Sequence, residues 1–329
     1  MKKSPLFFAF ITFCLFSCVS APKRTDLFGE PGGFVWQSVL GENGPVEGLD
    51  LFEGIFSGPA LEFWAIRADL SNPDIEVLAG PLPENGTIRA VTVSTFARNY
   101  GCTAAINANP FKIPGKKDLS RNETTRGETT QAETTRTVGL VVSGGVMVSP
   151  PNPRYDALAF YGPEDARNAG QASVPDRAAA DRALAGRAVV ISQAEAFSPS
   201  GSRSGMIETA AGGFYRILEG GKPSAQALSE RGGVRHPRSA AGVSADGRFL
   251  YLLVIDGRRP GSAGATEAET ALIMERLGAA DALCFDGGGS SALVLRQNGG
   301  RVNVLNTPAQ ILGRERPVTA CFGIRVRSN

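Results

Sequence analysis

Leu61, Phe63 and Ala65 alternate with Glu62, Trp64 and Ile66, and after Asn72-Pro73 a second run, Ile75-Glu76-Val77-Leu78, continues in the same manner. A period of two predicts strands, so the pair reads as two antiparallel strands joined at the proline turn. Thr92 to Asn99 predicts a short helix that Gly101 stops, and Cys102 to Asn107 a buried strand ending on a polar residue. Further strands are predicted at Val138–Ser143, Ala188–Ser192, Phe214–Leu218, Ala240–Ser244, Ala282–Phe285, Ala292–Leu295, Val302–Leu305 and Thr319–Val326. Phe249 to Ile255 is apolar on both faces, the mark of a central strand.

Helical signals are fewer. One helix is expected near Asp176–Ala185 and another at Glu267–Leu277, where Thr266 and Glu269 have capping-box spacing. Many strands, few helices and no regular βαβ alternation predict an α+β fold of mixed, largely antiparallel sheets with a few flanking helices. Residues 18–60 hold turn signals such as Pro31-Gly32-Gly33 and little sustained periodicity, and read as a tether and approach segment. The domain proper is expected over 61–329. Within it, Glu-Thr-Thr recurs at 123, 128 and 133, a period of five that suits neither a helix face nor a strand. A solvated, mobile insertion is expected there, over about residues 116–137.

Met1-Lys2-Lys3, the apolar run Leu6–Phe16 and Ser17-Cys18 have the layout of an export leader over residues 1–17. Leu15-Phe16-Ser17-Cys18 resembles a lipobox, which makes Cys18 the candidate lipidated residue and the cell envelope or periplasm the expected location. The 34 basic residues exceed the 32 acidic ones by Lys2 and Lys3 alone, so loss of the leader leaves a neutral chain. No one-sided positive field remains for nucleic acid. The 40 Gly and 21 Pro fit a globular chain rich in tight turns. Cys102, Cys284 and Cys321 lie in apolar runs and read as buried thiols, with room for one disulfide in an exported chain.

Candidate chemistry gathers at strand ends. Asp286-Gly287-Gly288-Gly289-Ser290-Ser291 joins two predicted strands; its glycines can turn N–H groups toward an anion, with Asp286 beside them, though three glycines alone fit a tight β connection equally well. Asp256-Gly257-Arg258-Arg259 follows the central strand and sets a carboxylate beside two planar cations. Asn107 and Arg238 adjoin apolar strands, and Glu269 doubles as a capping residue. His236, the single histidine, precedes Pro237 and has no nucleophile elbow to serve.

Taken in order, Ala104–Ala108, Pro237–Val243, Leu252–Arg258, Leu277–Leu283 and Phe285–Ser291, with Asn306, Pro308 and Arg316–Val318, resemble the phosphodiester glycosidase family over about residues 63–326. Ser239 in place of threonine, Glu267 and Thr270 in place of leucines around Glu269, and the Glu-Thr-Thr insertion depart from its pattern. The resemblance implies an α-N-acetylglucosaminidase-like hydrolase that cleaves sugar-1-phosphodiesters, with a phosphorylated glycan or glycolipid as partner and no required cofactor. It implies Asp286, Asp256 and Glu269 as catalytic candidates. Asn107, Arg238, Arg258, Gly287, Gly288, Gly289, Ser290 and Ser291 are the candidates for substrate binding. Two other classes stay open: a phosphoglycan-binding lipoprotein without catalysis, and a metal-dependent phosphodiesterase with Asp256 and Asp286 on a divalent cation.

Overall fold

The computed structural model describes residues 25–26, 37–41, 44–57, 60–113, 135–161, 188–193 and 207–327. The leader, Cys18, most of the Glu-Thr-Thr stretch and the helix expected near 176–185 lie outside the described residues. In chain order the first strands are β1 (Thr25–Asp26), β2 (Gln37–Gly41), β3 (Gly44–Ser57), β4 (Ala60–Asp69), β5 (Ile75–Gly80), β6 (Ala104–Asn107) and β7 (Phe111–Lys112). Next come β8 (Arg136–Thr137), β9 (Val141–Ser143), β10 (Val146–Ser149), β11 (Asp156–Tyr161), β12 (Ala188–Ser192), β13 (Ile207–Gly212), β14 (Arg216–Glu219) and β15 (Lys222–Pro223). The last are β16 (Arg238–Val243), β17 (Phe249–Ile255), β18 (Asp281–Cys284), β19 (Leu293–Arg296), β20 (Val302–Val304) and β21 (Cys321–Val326). Two α-helices accompany them among the described residues, α1 (Val93–Asn99) and α2 (Glu267–Leu277). The architecture is therefore strand-dominated, so the α+β reading fits for its antiparallel sheets more than for its helices.

The largest sheet runs β1-β3-β4-β17-β16-β18-β14-β15, with β2 also on β3. Its two faces bury alternate residues. Leu250, Leu252 and Val254 of β17 enter one core with Trp64 and Ile66 of β4; Tyr251, Leu253 and Ile255 enter another with Phe63, Ala65 and Met274 of α2. That two-sided burial is why β17 carries no polar side-chain period. A five-stranded sheet, β20-β19-β6-β21-β5, shares the first core through Ile106, Leu293 and Phe322 and holds α1 against a third. A further sheet, β10-β9-β13-β11-β12, also reaches the first core through Leu158 and Ala211.

Both helix starts follow from their caps. Thr92 accepts from Thr95 N–H, and at α2 Thr266 and Glu269 form the reciprocal capping box, with Gly278 closing the helix at φ 109°. One expectation fails. β4 and β5 do not form a hairpin: β4 already has β3 and β17 on its two edges, so after the turn at 70–74 the chain enters the other sheet and β5 pairs with β21. Within the segment read as tether and approach, Gln37–Gly41 and Gly44–Ser57 form β2 and β3, with Leu49 and Phe52 buried. Gly54 breaks their alternation because the Phe63 ring fills the space where its side chain would stand.

Candidate active site

Antiparallel pairing assembles the site. β16 lies between β17 and β18 with Arg238 opposite Ile255 and Ala240 opposite Cys284. The segment entering β16 and the segments leaving β17 and β18 therefore meet at one edge of the sheet, bringing His236, Arg258 and Asp286 together. From there residues 286–291 cross to β19 in the five-stranded sheet. Asp286 N–H donates to Ala108 O, just past the end of β6, so the crossing is tied to both sheets.

Asn107 fixes this crossing. It is fully buried; its Nδ2 donates to Asp286 O at 2.5 Å, and its Oδ1 accepts from Ser239 Oγ at 2.7 Å and Ala292 N at 3.1 Å. These bonds make Asn107 a brace for the loop. Gly287 and Gly288 are required for different reasons. A Cβ on Gly287 would stand 2.8 Å from Pro237 O, while Gly288 has φ 63° and the Arg258 guanidinium 3.3 to 3.6 Å from where a Cβ would be. The loop is less of an anion cradle than its glycines suggest. The N–H groups of Gly288, Ser290 and Ser291 donate to Pro237, Gly287 and Gly288 carbonyls, and that of Gly287 goes to the Asp286 carboxylate.

The three candidate carboxylates have different surroundings. Asp286 is partly exposed; desolvation raises its pKa to about 6 against the pull of the Ser290 hydroxyl, Arg316 and Gly287 N–H. Asp256 is fully buried and saturated: Arg259 Nε at 2.8 Å, Asn306 Nδ2 at 3.1 Å and Thr307 N–H at 3.0 Å. Burial raises its pKa too, but no oxygen of it is left for a substrate or a cation. Through Asn306, which also donates to Ser291 O, it anchors the far end of the glycine loop. Glu269 is engaged by the cap of α2 and by Arg235 at 2.6 and 2.7 Å, so its bonds point to support of the helix start.

Cations sort the same way. Arg238 has a side chain only 8% exposed and spends its donors on Glu267, Ala265 O and Val234 O, which places it behind the sheet edge, away from any substrate anion. Arg259 is held between Asp256 and Glu62. Arg258 is exposed, and its one described hydrogen-bond partner is His236. Arg316, which the sequence pattern did not single out, stacks over Phe111 at 4.8 Å and reaches Ser290 Oγ at 3.4 Å. Its neighbour Glu315 is bonded to Ser94 at the start of α1, which fixes the segment. Its only sequence signal was the closing Arg316-Pro317-Val318 match.

A carboxylate with its pKa raised to about 6, with Arg316 acting on it and Arg258 against Gly288 of the same loop, suits catalysis on an anionic substrate. The donor set does not suit a divalent cation at Asp256 and Asp286, since Asp256 is filled by Arg259 and N–H donors. Among the described residues no three His, Cys, Asp or Glu side chains are grouped to hold a metal ion, and no helix is long and apolar enough to cross a membrane. Cys102, Cys284 and Cys321 are buried free thiols. A cavity of about 280 Å³ lined by Ile75, Phe160, Tyr161 and Glu208 shares no residue with this group.

The phosphodiester glycosidase family profile matches residues 100–325. The catalytic domain of zebrafish N-acetylglucosamine-1-phosphodiester alpha-N-acetylglucosaminidase, auto-inhibited by its pro-peptide, superposes with a TM-score of 0.58 at 16% identity, covering 89% of this chain and 88% of that one. A hypothetical protein from Synechocystis superposes with a TM-score of 0.56 at 18% identity over 86% of this chain, which spans 63% of that chain's length. At these identities the two structures establish a shared fold. No curated protein matches the sequence.

Proposed function

Because the chain belongs to the phosphodiester glycosidase family, we propose that it hydrolyses sugar-1-phosphodiesters at the anomeric carbon, releasing the sugar and a phosphomonoester. The observation that carries this reading is Asp286, a carboxylate whose pKa burial raises to about 6, with Arg316 acting on it and Arg258 lying against Gly288 of the same loop. The two guanidiniums bind the phosphodiester anion and neutralise charge as it leaves. Asp286, ionised above about pH 6, acts at the oxocarbenium-like centre as nucleophile or as base toward water. The phosphate departs as a stable anion, so the reaction needs little acid assistance. Asp256, Asn107 and Arg238 hold this arrangement from behind.

The zebrafish enzyme's name makes N-acetylglucosamine-1-phosphodiesters the first substrates to try. The leader and Cys18 motivate an exported lipoprotein acting on envelope glycans or glycolipids, and mass spectrometry of the mature N-terminus tests it; an unmodified terminus beyond Cys18 refutes the anchor. Turnover of synthetic sugar-1-phosphodiesters in heavy-oxygen water tests the chemistry. Label in the sugar hydroxyl is expected. Label in the phosphate means P–O cleavage, and saturable binding without product means a carbohydrate-binding protein; either overturns the reading.

A further inference from the structure

The one histidine of the chain stands outside the chemistry above, yet its surroundings are specific. His236 exchanges both backbone hydrogen bonds with Ala265, at 3.1 and 2.9 Å, and Pro237 follows it, so the ring leaves the chain from a fixed point. Its Nδ1 lies 3.1 Å from Arg258 Nη2. A guanidinium can only donate, so Nδ1 accepts, and the ring is neutral with its proton on Nε2.

Arg258 needs such a partner. It is exposed, its backbone is in the left-handed region at φ 61°, and no other described side chain takes a hydrogen bond from it. Its guanidinium nevertheless lies against Gly288, leaving Nε and Nη1 for a ligand. We infer that His236 is the positioning residue that holds Arg258 over Gly288 for the substrate's phosphodiester anion, and that only its neutral ring does so. Protonation would turn the acceptor into a second donor facing a cation and release the arm.

Burial and both neighbouring cations act on the ring in one direction. Burial first, then Arg238 at the start of β16 and Arg258 from the turn after β17, hold its pKa below the ordinary histidine value, and Glu267 of α2 opposes them. The contact therefore persists across the neutral range and fails in acid. The inference rests on the proposed function only in naming the anion.

A chain with one histidine gives one imidazole signal, so ¹⁵N-histidine NMR against pH reads the ring directly. The wild type should show the Nε2–H tautomer with an apparent pKa below 6.5, and Arg258→Ala should raise that pKa and mix the tautomers. In turnover, His236→Ala should raise KM about tenfold with kcat within twofold. His236→Asn, whose Oδ1 replaces Nδ1, should restore KM and remove its rise between pH 7 and 5. An unmoved ring pKa in Arg258→Ala overturns the inference, as does a His236→Ala effect on KM that persists undiminished in the Arg258→Ala background. If the wild type turns over no sugar-1-phosphodiester, the proposed function fails while the NMR result still decides the contact.

Discussion

Asp286→Asn separates the demands of chemistry from those of stability. The folded protein holds this carboxyl at about 6 against an ordinary 3.8, so the site favours the neutral form even with Ser290, Arg316 and Gly287 N–H in place. Below pH 3.8 the acid is protonated whether the chain is folded or not. Between 3.8 and about 6 only the folded chain keeps the proton, so wild-type stability falls as the pH rises through that window and the loss is complete above it. Two pKa units correspond to about 3 kcal/mol, and partial exposure reduces this to about 2 kcal/mol. A neutral isostere escapes the loss. Asp286→Asn should melt about 3 °C above wild type at pH 7, with the difference vanishing near pH 3.5, while turnover drops by at least a thousandfold. Paired thermal denaturation scans at the two pH values, with an activity assay, read both. Equal melting at pH 7, or a difference that survives at pH 3.5, refutes the argument from desolvation; near-wild-type turnover refutes the catalytic assignment.

Arg238→Ala should destabilise by about 3–5 kcal/mol in chemical denaturation, because Glu267 would be left charged and buried, whereas Arg258→Ala should leave stability unchanged and raise KM. Gly288→Ala should cost about 1–2 kcal/mol of strain at φ 63° and displace Arg258, seen as a higher KM in a protein of unchanged circular dichroism. Asn107→Ala should lose three hydrogen bonds and lower kcat more than KM, since the loop bearing Asp286 loses its brace. Turnover should survive a chelator; loss of activity that a divalent cation restores would reinstate metal chemistry at the loop.

Local determinants were readable from the sequence. β17 and α2 appear at their expected residues because a two-sided apolar run and a capping box are encoded within a few positions. Sheet membership was not, since β5 finds β21 at the other end of the chain and no local signal specifies that partner. The site shows the same division. Asp286 and its glycines announce themselves as a run, but Asp256 and Asp286 look alike in sequence and differ only in what surrounds them. Arg238, Arg258 and Arg259 are likewise equivalent as letters; ion pairing to Glu267, to Asp256 and to Glu62 consumes two of them and leaves the third. Arg316 was missed because its role comes from Phe111 and Ser290, both remote in sequence.

The short ladder of Phe111–Lys112 with Arg136–Thr137 has a practical corollary. It clamps both ends of the Glu-Thr-Thr stretch beside Arg316, so the intervening segment is closed by the ladder whatever its length or content. Closure entropy grows only with the logarithm of length, about 0.6 kcal/mol for each doubling. That position is thus a natural graft point. A foreign peptide, an affinity handle or a carbohydrate-binding module spliced between the two strands would leave and re-enter the fold at Phe111 and Thr137, next to Arg316 and the loop that bears Asp286.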